Sequence, residues 1–170
     1  MIDAGDAPGL REALAADPPL AAQRDEQGLS ALMRAAYRGG EVFDVVLAAD
    51  PPLDSFDRIL VGESDGLPAP DAWSPDGFTP LHIAAFAKNV AATRALLEAG
   101  ADPNVIATAS FARVTPLGTC AFAGATEVAR VLLEHGADPA ISEDGTFTPL
   151  DAAVANGNQE LAELLRRATA

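Results

Sequence analysis

The chain has 170 residues, of which 49% are hydrophobic and 5% aromatic, so it is long and apolar enough to fold around a core and is not a disordered tail. Its formal net charge of −14 argues against binding to nucleic acids or to anionic membrane surfaces, because both carry negatively charged phosphates. A single cysteine, the absence of a secretory signal, and the absence of an apolar run of about 18 residues lead us to expect a cytoplasmic protein.

The first 53 residues contain an exact internal repeat. The heptapeptide Leu-Ala-Ala-Asp-Pro-Pro-Leu occurs at Leu14 to Leu20 and again at Leu47 to Leu53, with a spacing of 33 residues. A fixed period of this length is typical of repeat proteins that stack one helical unit on the next. We therefore predict a degenerate first repeat over residues 1–24, mainly one helix around Leu10 to Ala16, and a second repeat over 25–53.

Residues 54–73 interrupt the period. The segment from Ser55 to Gly62 has the pattern of a first helix, whereas Glu63 to Asp71 contains Gly66, Pro68 and Pro70 and has the composition of a loop. Two interpretations follow. We favour a truncated repeat that has lost its second helix, and the alternative is a plain insertion between repeats.

The remaining chain predicts three repeats, over residues 74–106, 107–142 and 143–170. Each contains Thr-Pro-Leu, and a threonine cap followed by proline in the first turn starts a helix. Three additional residues before Thr115 predict an enlarged loop. Arg166 and Arg167 stand where earlier repeats place aliphatic residues, so we expect the last repeat to be a cap with a polar outer edge.

The sequence of the repeat over residues 74–106 is specific to one family. The run from Asp76 to Ala85, with Thr-Pro-Leu-His at its centre, is followed by Leu96 to Asn104, and together they resemble a near-consensus ankyrin repeat. The resemblance extends over most of the chain and is strongest to small bacterial ankyrin proteins. It implies an all-α solenoid of stacked helix-turn-helix repeats with hairpin loops, in one domain over 1–170, and we expect a monomer.

No pattern in the chain indicates catalysis, a metal or a cofactor. The resemblance implies that His82 hydrogen-bonds neighbouring loops, and His135 lies at a helix end, where the helix dipole favours a cation. Two histidines and one cysteine at these spacings match no zinc motif. Cys120 aligns with Ala84 and Ala153, so we interpret it as a small buried residue.

The resemblance also implies where a protein partner would bind. In ankyrin proteins the finger turns and the exposed face of the first helix contact the partner. Carried over by position, the candidate contacts are Gln27, Leu29, Tyr37, Arg38, Asp76, Phe78, Phe86, Arg113, Val114, Phe122 and Phe147. We predict a protein-binding module. We interpret its acidity as a source of solubility, and the alternative is that the acidic surface attracts a basic partner. The alternatives are an accessory subunit of an obligate complex and, less favoured, a small enzyme.

The scarce aromatic residues recur at equivalent positions. Tyr37, Phe86 and Phe122 follow the small residues of three first helices, and Phe78 and Phe147 each precede a capping threonine. These rings either pack between repeats or form an exposed aromatic ladder for a partner.

Lys88 occupies a position that is glycine in its sister repeats. It aligns with Gly39, Gly124 and Gly157, each at the end of a first helix. A helix commonly ends there in the left-handed conformation, which glycine adopts without strain. We therefore predict a positive φ at Lys88.

Overall fold

The computed structural model describes residues 1–142 and 147–169. Within these ranges the chain forms helices, one isolated antiparallel bridge between Arg24 and Ser30, and no strand. A 3₁₀ helix covers Pro18–Ala22. The α-helices are α1 (Ala7–Ala16), α2 (Ala31–Arg38), α3 (Gly40–Ala48), α4 (Ser55–Leu60), α5 (Pro80–Phe86), α6 (Val90–Glu98), α7 (Pro116–Ala123), α8 (Thr126–Glu134), α9 (Pro149–Ala155) and α10 (Gln159–Ala168). The prediction of an all-helical fold is confirmed.

The chain divides into two compact units, Met1–Asp57 and Arg58–Ala170. In the first unit α1 packs against α3, and α2 packs against both α3 and the 3₁₀ helix. The helix predicted around Leu10 to Ala16 is present as α1.

The second unit has the two-layer stacking of a solenoid. The first helices α5, α7 and α9 pack in series, and the second helices α6, α8 and α10 pack behind them. Each first helix begins at a proline that follows a threonine, as the sequence predicts. The Thr115 hydroxyl, for example, accepts a hydrogen bond from the Gly118 amide at 3.1 Å and so satisfies one of the free N–H groups of the first turn.

The short helix α4 has the register of a first helix. Its cap is Asp54, whose carboxylate accepts hydrogen bonds from the amides of Phe56 and Asp57, both at 2.8 Å. The fifth residue of each first helix is fully buried, with an exposure of 0% at Ala35, Ile59, Ala84, Cys120 and Ala153. The side chain that α4 places in the core therefore comes from the same position as in its sister helices.

Two asparagines link second helices to the first helix of the preceding repeat. The Asn158 amide at the start of α10 donates to the Ala121 carbonyl of α7 at 2.7 Å. Asn89, at the same position before α6, donates to the carbonyls of Ile59 at 3.1 Å and Glu63 at 2.8 Å. Asn89 thus joins α6 to α4 as Asn158 joins α10 to α7, and the described residues 61–79 form no helix. The choice between a truncated repeat and an insertion stays a prediction.

The φ angles at the ends of the first helices agree with the repeat alignment. Lys88 has a φ of 56°, close to 69° at Gly39, 67° at Gly124 and 71° at Gly157. The prediction of a left-handed residue at Lys88 is confirmed. Asp50 is the other described non-glycine residue with a positive φ, at 51°.

Candidate functional site

His82 is the buried polar centre of the consensus repeat. Its Nδ1 lies 2.7 Å from the Thr79 hydroxyl and 3.3 Å from the Thr79 amide nitrogen, and its Nε2 lies 2.9 Å from the Val114 carbonyl oxygen. Because a backbone amide donates and a carbonyl only accepts, Nδ1 must accept and Nε2 must carry the proton. The ring thus joins the cap of α5 to the loop before α7, and its predicted loop-bonding role is confirmed.

Burial keeps both candidate reactive groups of this unit neutral. Desolvation lowers the pKa of His82 to about 4, although the Val114 carbonyl partly opposes that shift. Burial also raises the pKa of the Cys120 thiol far above its usual range, so the reactive thiolate is disfavoured. His82 and Cys120 are therefore structural residues, as predicted.

The other histidine closes a helix end. The His135 Nδ1 lies 2.8 Å from the Val131 carbonyl oxygen in the last turn of α8, so Nδ1 must donate there. His135 thus lies at the C-terminal end of α8, as expected, and its ring caps that end. Across residues 1–142 and 147–169, no group of three or more histidine, cysteine, aspartate or glutamate side chains is arranged to hold a metal ion.

Four of the predicted contact residues meet in a shallow groove of the second unit. The groove runs between the loop before α7 and the start of α9, and it includes Arg113, Val114, Phe122 and Phe147. Phe122 is 53% exposed and Phe147 is 50% exposed. Gly118 forms part of the groove at the position that His82 occupies in α5, and the Val114 side chain lies directly against it. We call this the Phe122–Phe147 groove.

Phe78 is placed differently from its equivalent Phe147. Its exposure is only 7%, and its ring packs edge-on against Phe111, with 5.6 Å between centroids, and near His82 at 5.7 Å. The enlarged loop supplies Phe111, and backbone hydrogen bonds of 2.9 Å from Ala107 to Val114 and from Thr108 to Gly77 hold that loop. Phe78 therefore packs inside the unit and is not available to a partner in this conformation.

Four other predicted contact residues line a cleft in the first unit. Gln27, Leu29, Tyr37 and Arg38 border a volume of about 520 Å³. Gln27 and Arg38 are exposed and Tyr37 is 37% exposed, whereas Leu29 is buried at 7%. Leu29 is held inward because its amide bonds the Asp25 carboxylate at 2.9 Å, which closes the turn. Leu29 thus forms part of the cleft wall but exposes little of its side chain to a partner.

The last two predicted contact residues, Asp76 and Phe86, are partly buried. The Asp76 carboxylate accepts a hydrogen bond from the Ser74 hydroxyl at 2.6 Å, which braces the turn before Phe78. Phe86, Tyr37 and Phe122 share a position but differ in exposure, so equivalent aromatic residues do not present equal surfaces. The assignment of the predicted set to partner contact stays a prediction.

Comparison with known proteins identifies the repeats. A family model described as "Ankyrin repeat" matches residues 76–107, and one described as "Ankyrin repeats (many copies)" matches residues 117–166. No match was found among curated proteins. The chain is therefore an ankyrin-repeat protein with the solenoid fold predicted from its sequence. Ankyrin repeats are generally protein–protein interaction modules and are typically non-catalytic. None of the described helices has the length and apolar character to cross a membrane.

Proposed function

We propose that this ankyrin-repeat protein is a non-catalytic, cytoplasmic module that binds a protein partner through the Phe122–Phe147 groove. The observation that carries the proposal is the exposure of two phenylalanine rings, 53% and 50%, beside one groove in a chain with few aromatic residues. Exposed apolar surface of this kind marks contact sites, and buried aromatic anchors supply much of the energy at interfaces.

The charge of the chain favours a basic partner. A formal net charge of −14 produces a negative field that raises the encounter rate with a positively charged surface. Such steering weakens as salt is added, because the screening length falls from about 30 Å at 0.01 M to about 8 Å at 0.15 M ionic strength. We therefore expect partner association to slow as ionic strength rises.

Cross-linked capture from the source cells tests this function. A double variant, Phe122→Ser with Phe147→Ser, should lose the captured partner while its melting temperature stays within a few degrees of the wild type. Val154→Ser is the matched control, because Val154 is an apolar residue of α9 with 53% exposure that lies outside the groove. That control should capture the partner normally.

The result that contradicts the proposal is retention of the same partner by the folded double variant. A partner that remains bound at fixed stoichiometry through every purification step would instead identify the chain as an accessory subunit of an obligate complex. Partner capture repeated at increasing salt concentrations tests the basic-partner proposal separately from the role of the two phenylalanines. Only electrostatic attraction of a basic partner predicts a strong dependence on salt.

A further inference from the structure

Residues 1–6 fold back onto the first unit. A turn is closed by hydrogen bonds from the Gly5 amide to the Ile2 carbonyl at 3.0 Å and from the Asp6 amide to the Met1 carbonyl at 3.2 Å. This turn places the Asp3 carboxylate on the guanidinium of Arg34, which bonds it through Nη2 and through Nε, the latter at 3.3 Å. A two-point contact of this kind is the usual way in which arginine recognises a carboxylate.

Ile2 and Asp3 lie at two neighbouring cavities. Asp3 borders the cleft of about 520 Å³. Met1 and Ile2 border a second cavity of about 140 Å³, whose other walls are mostly aliphatic, including Leu10, Leu14 and Val46. Arg34 lines both cavities. Ile2 therefore lies at the mostly aliphatic cavity, and the next residue, Asp3, binds Arg34.

The cleft holds a second guanidinium, that of Arg38, which has no ion-pair partner within residues 1–142 and 147–169. Arg38 lies one turn after Arg34 on α2, so both side chains share a helix face. Arg38 is exposed, and no carboxylate oxygen of the described chain lies within ion-pair distance of it. Its positive charge nevertheless helps to lower the pKa of Asp3, after the larger effect of the Arg34 hydrogen bond. The two arginines thus favour a carboxylate at this point of the cleft.

We propose that this cleft, the Arg34 cleft, binds an acidic partner peptide in which a large aliphatic residue directly precedes an aspartate or glutamate. Residues 1–3 occupy the site in the free protein as an internal mimic of that peptide. The inference rests on the proposed protein-binding function and adds the chemistry of one anchor. The carboxylates of Asp25 and Glu26 also line this cleft, but the guanidiniums of Arg34 and Arg38 balance them once Asp3 leaves. The field of more distant carboxylates is screened within about 8 Å at physiological salt.

The mimic can be displaced because its hold is weak. The Asp3 side chain is 66% exposed, although that of Arg34 is only 24% exposed, so the carboxylate regains much of its hydration when the pair opens and the pair contributes little to stability. Asp25 also faces Arg34, at 3.7 Å, but its other carboxylate oxygen is engaged by the amides of Gln27 and Leu29. Asp25 therefore stays in place when Asp3 leaves, and Arg34 keeps one partner while it exchanges the other.

A peptide titration of the full chain tests the proposal. The probe is an acetylated and amidated Gly-Met-Ile-Asp-Ala-Gly peptide, and binding is followed by chemical-shift changes of the Arg34 and Arg38 side chains up to millimolar peptide. Asp3→Asn removes the competing charge and keeps the side-chain size, so the probe should bind this variant about fivefold more tightly than the wild type. The same peptide with Asn in place of Asp should bind neither protein.

Arginine variants locate the site. Arg34→Gln in the Asp3→Asn background should weaken the probe about tenfold, since a charge-assisted two-point contact is lost. Arg38→Gln is the second variant, because its exposed side chain has no described ion pair whose loss could unfold the unit. Arg11→Gln is the matched control: Arg11 is 59% exposed, pairs with Glu41, and lies outside the Arg34 cleft. This control should leave probe binding unchanged.

Each contrary result has a defined meaning. Absence of probe binding to the Asp3→Asn variant, equal binding of the Asn peptide, or binding that ignores both arginine variants would overturn the inference. Concentration-dependent dimers in sedimentation, abolished by Asp3→Asn, would assign the cleft to a second copy of the chain and would also overturn it. If the probe fails while cellular capture through the Phe122–Phe147 groove succeeds, only the inference falls. If the probe binds but no protein is captured, the proposed function falls instead.

Discussion

The two copies of Leu-Ala-Ala-Asp-Pro-Pro-Leu have one sequence and two structures. In the first copy Leu14 is 7% exposed, Asp17 has a φ of −142°, and the prolines enter the 3₁₀ helix Pro18–Ala22. In the second copy Leu47 is 38% exposed, Asp50 has a φ of 51°, and the prolines lie outside any helix. The heptapeptide sequence therefore does not determine its own backbone conformation or burial, and the surrounding elements must determine them.

The neighbouring second helices explain the difference in burial. Leu14 belongs to α1, which has α3 packed against it. Leu97 has the position of Leu47 in α6 and is 9% exposed, with α8 as the next second helix. Residues 61–79, which follow α4, form no helix, and within the first unit no second helix follows α3. An identical leucine is thus a core residue in one copy and a surface residue in the other.

Alanine substitutions should give the largest difference between the copies. Leu14→Ala should lower the free energy of unfolding by about 3 kcal/mol, because it removes a buried side chain and leaves a cavity. Leu47→Ala should cost less than about 1 kcal/mol, since much of that side chain is already in water. Urea unfolding followed by circular dichroism measures both, and equal losses would show that the missing helix does not explain the exposure of Leu47.

The first comparison has one sequence in two environments, and a second test compares different residues at one position of the repeat. His82, Asp57 and Asp151 are each the third residue of a first helix. The pKa of His82 is about 4 in the folded chain against 6.5 for an unperturbed histidine. The unfolded chain therefore takes up a proton first as the pH falls, so the contribution of His82 is complete above pH 6.5 and is lost towards pH 4. The loss should reach about 3 kcal/mol.

The variant His82→Gln isolates this effect from the many carboxylates. The difference in unfolding free energy between wild type and variant should shrink as the pH is lowered from 7 to 4.5, as measured by urea titration at each pH. A difference that stays constant over this range would show that the imidazole is not kept neutral by burial.

Asp57 should behave with the opposite sign. It is 1% exposed and accepts a hydrogen bond from the Ser30 hydroxyl at 2.5 Å, and desolvation raises its pKa above 3.8 despite that bond. The unfolded chain therefore loses its proton first as the pH rises. The stabilising contribution is present below pH 3.8 and is lost as the pH rises through the folded pKa. Asp57→Asn should accordingly flatten the pH dependence on that side, and an unchanged profile would contradict the assignment.

How far the sequence predicts the structure depends on whether a feature is local. Thr-Pro starts, the left-handed Lys88 and the burial of Cys120 follow from short motifs and from alignment of the repeats, and all three are confirmed. Exposure of equivalent aromatic residues is not local. Phe78 is covered by Phe111 from the enlarged loop, and the repeat alignment gave no sign of that contact.

The Arg34 cleft was predicted in part for the same reason. Tyr37 and Arg38 were found by position in the repeat, because family contact positions recur every 33 residues in the ideal pattern. Arg34 was not, since its role depends on Asp3, which lies 31 residues away in the degenerate first repeat, before α1. No repeat motif aligns with Asp3, so its contact with Arg34 could not be predicted from the sequence.

Asp50 in the second heptapeptide copy has a positive φ, and so does Lys88 in the second unit. Lys88→Gly should raise the free energy of unfolding by about 1 kcal/mol, because a side chain in the left-handed region crowds its own backbone and glycine does not. Lys88 is exposed, so little packing is lost with its side chain. Thermal unfolding measures the gain, and a lower melting temperature would show that the amine or its alkyl chain makes a contact that outweighs the strain.

The smallest expected change in unfolding free energy gives the most direct test, because it compares the same aspartate, Asp17 or Asp50, in the two copies of the heptapeptide. Asp50 stands where Gly100 and Gly136 end later second helices with φ of 95° and 87°, so Asp50→Gly should relieve strain. Aspartate tolerates the left-handed region better than lysine, and glycine costs more entropy on folding, so the net gain should be about 0.5 kcal/mol. Asp17→Gly has no strain to relieve at φ −142° and should lose about 0.5 to 1 kcal/mol. Opposite signs for the two variants in parallel urea titrations would show that the tertiary neighbours, and not the heptapeptide, set the backbone. The same sign for both would refute that explanation.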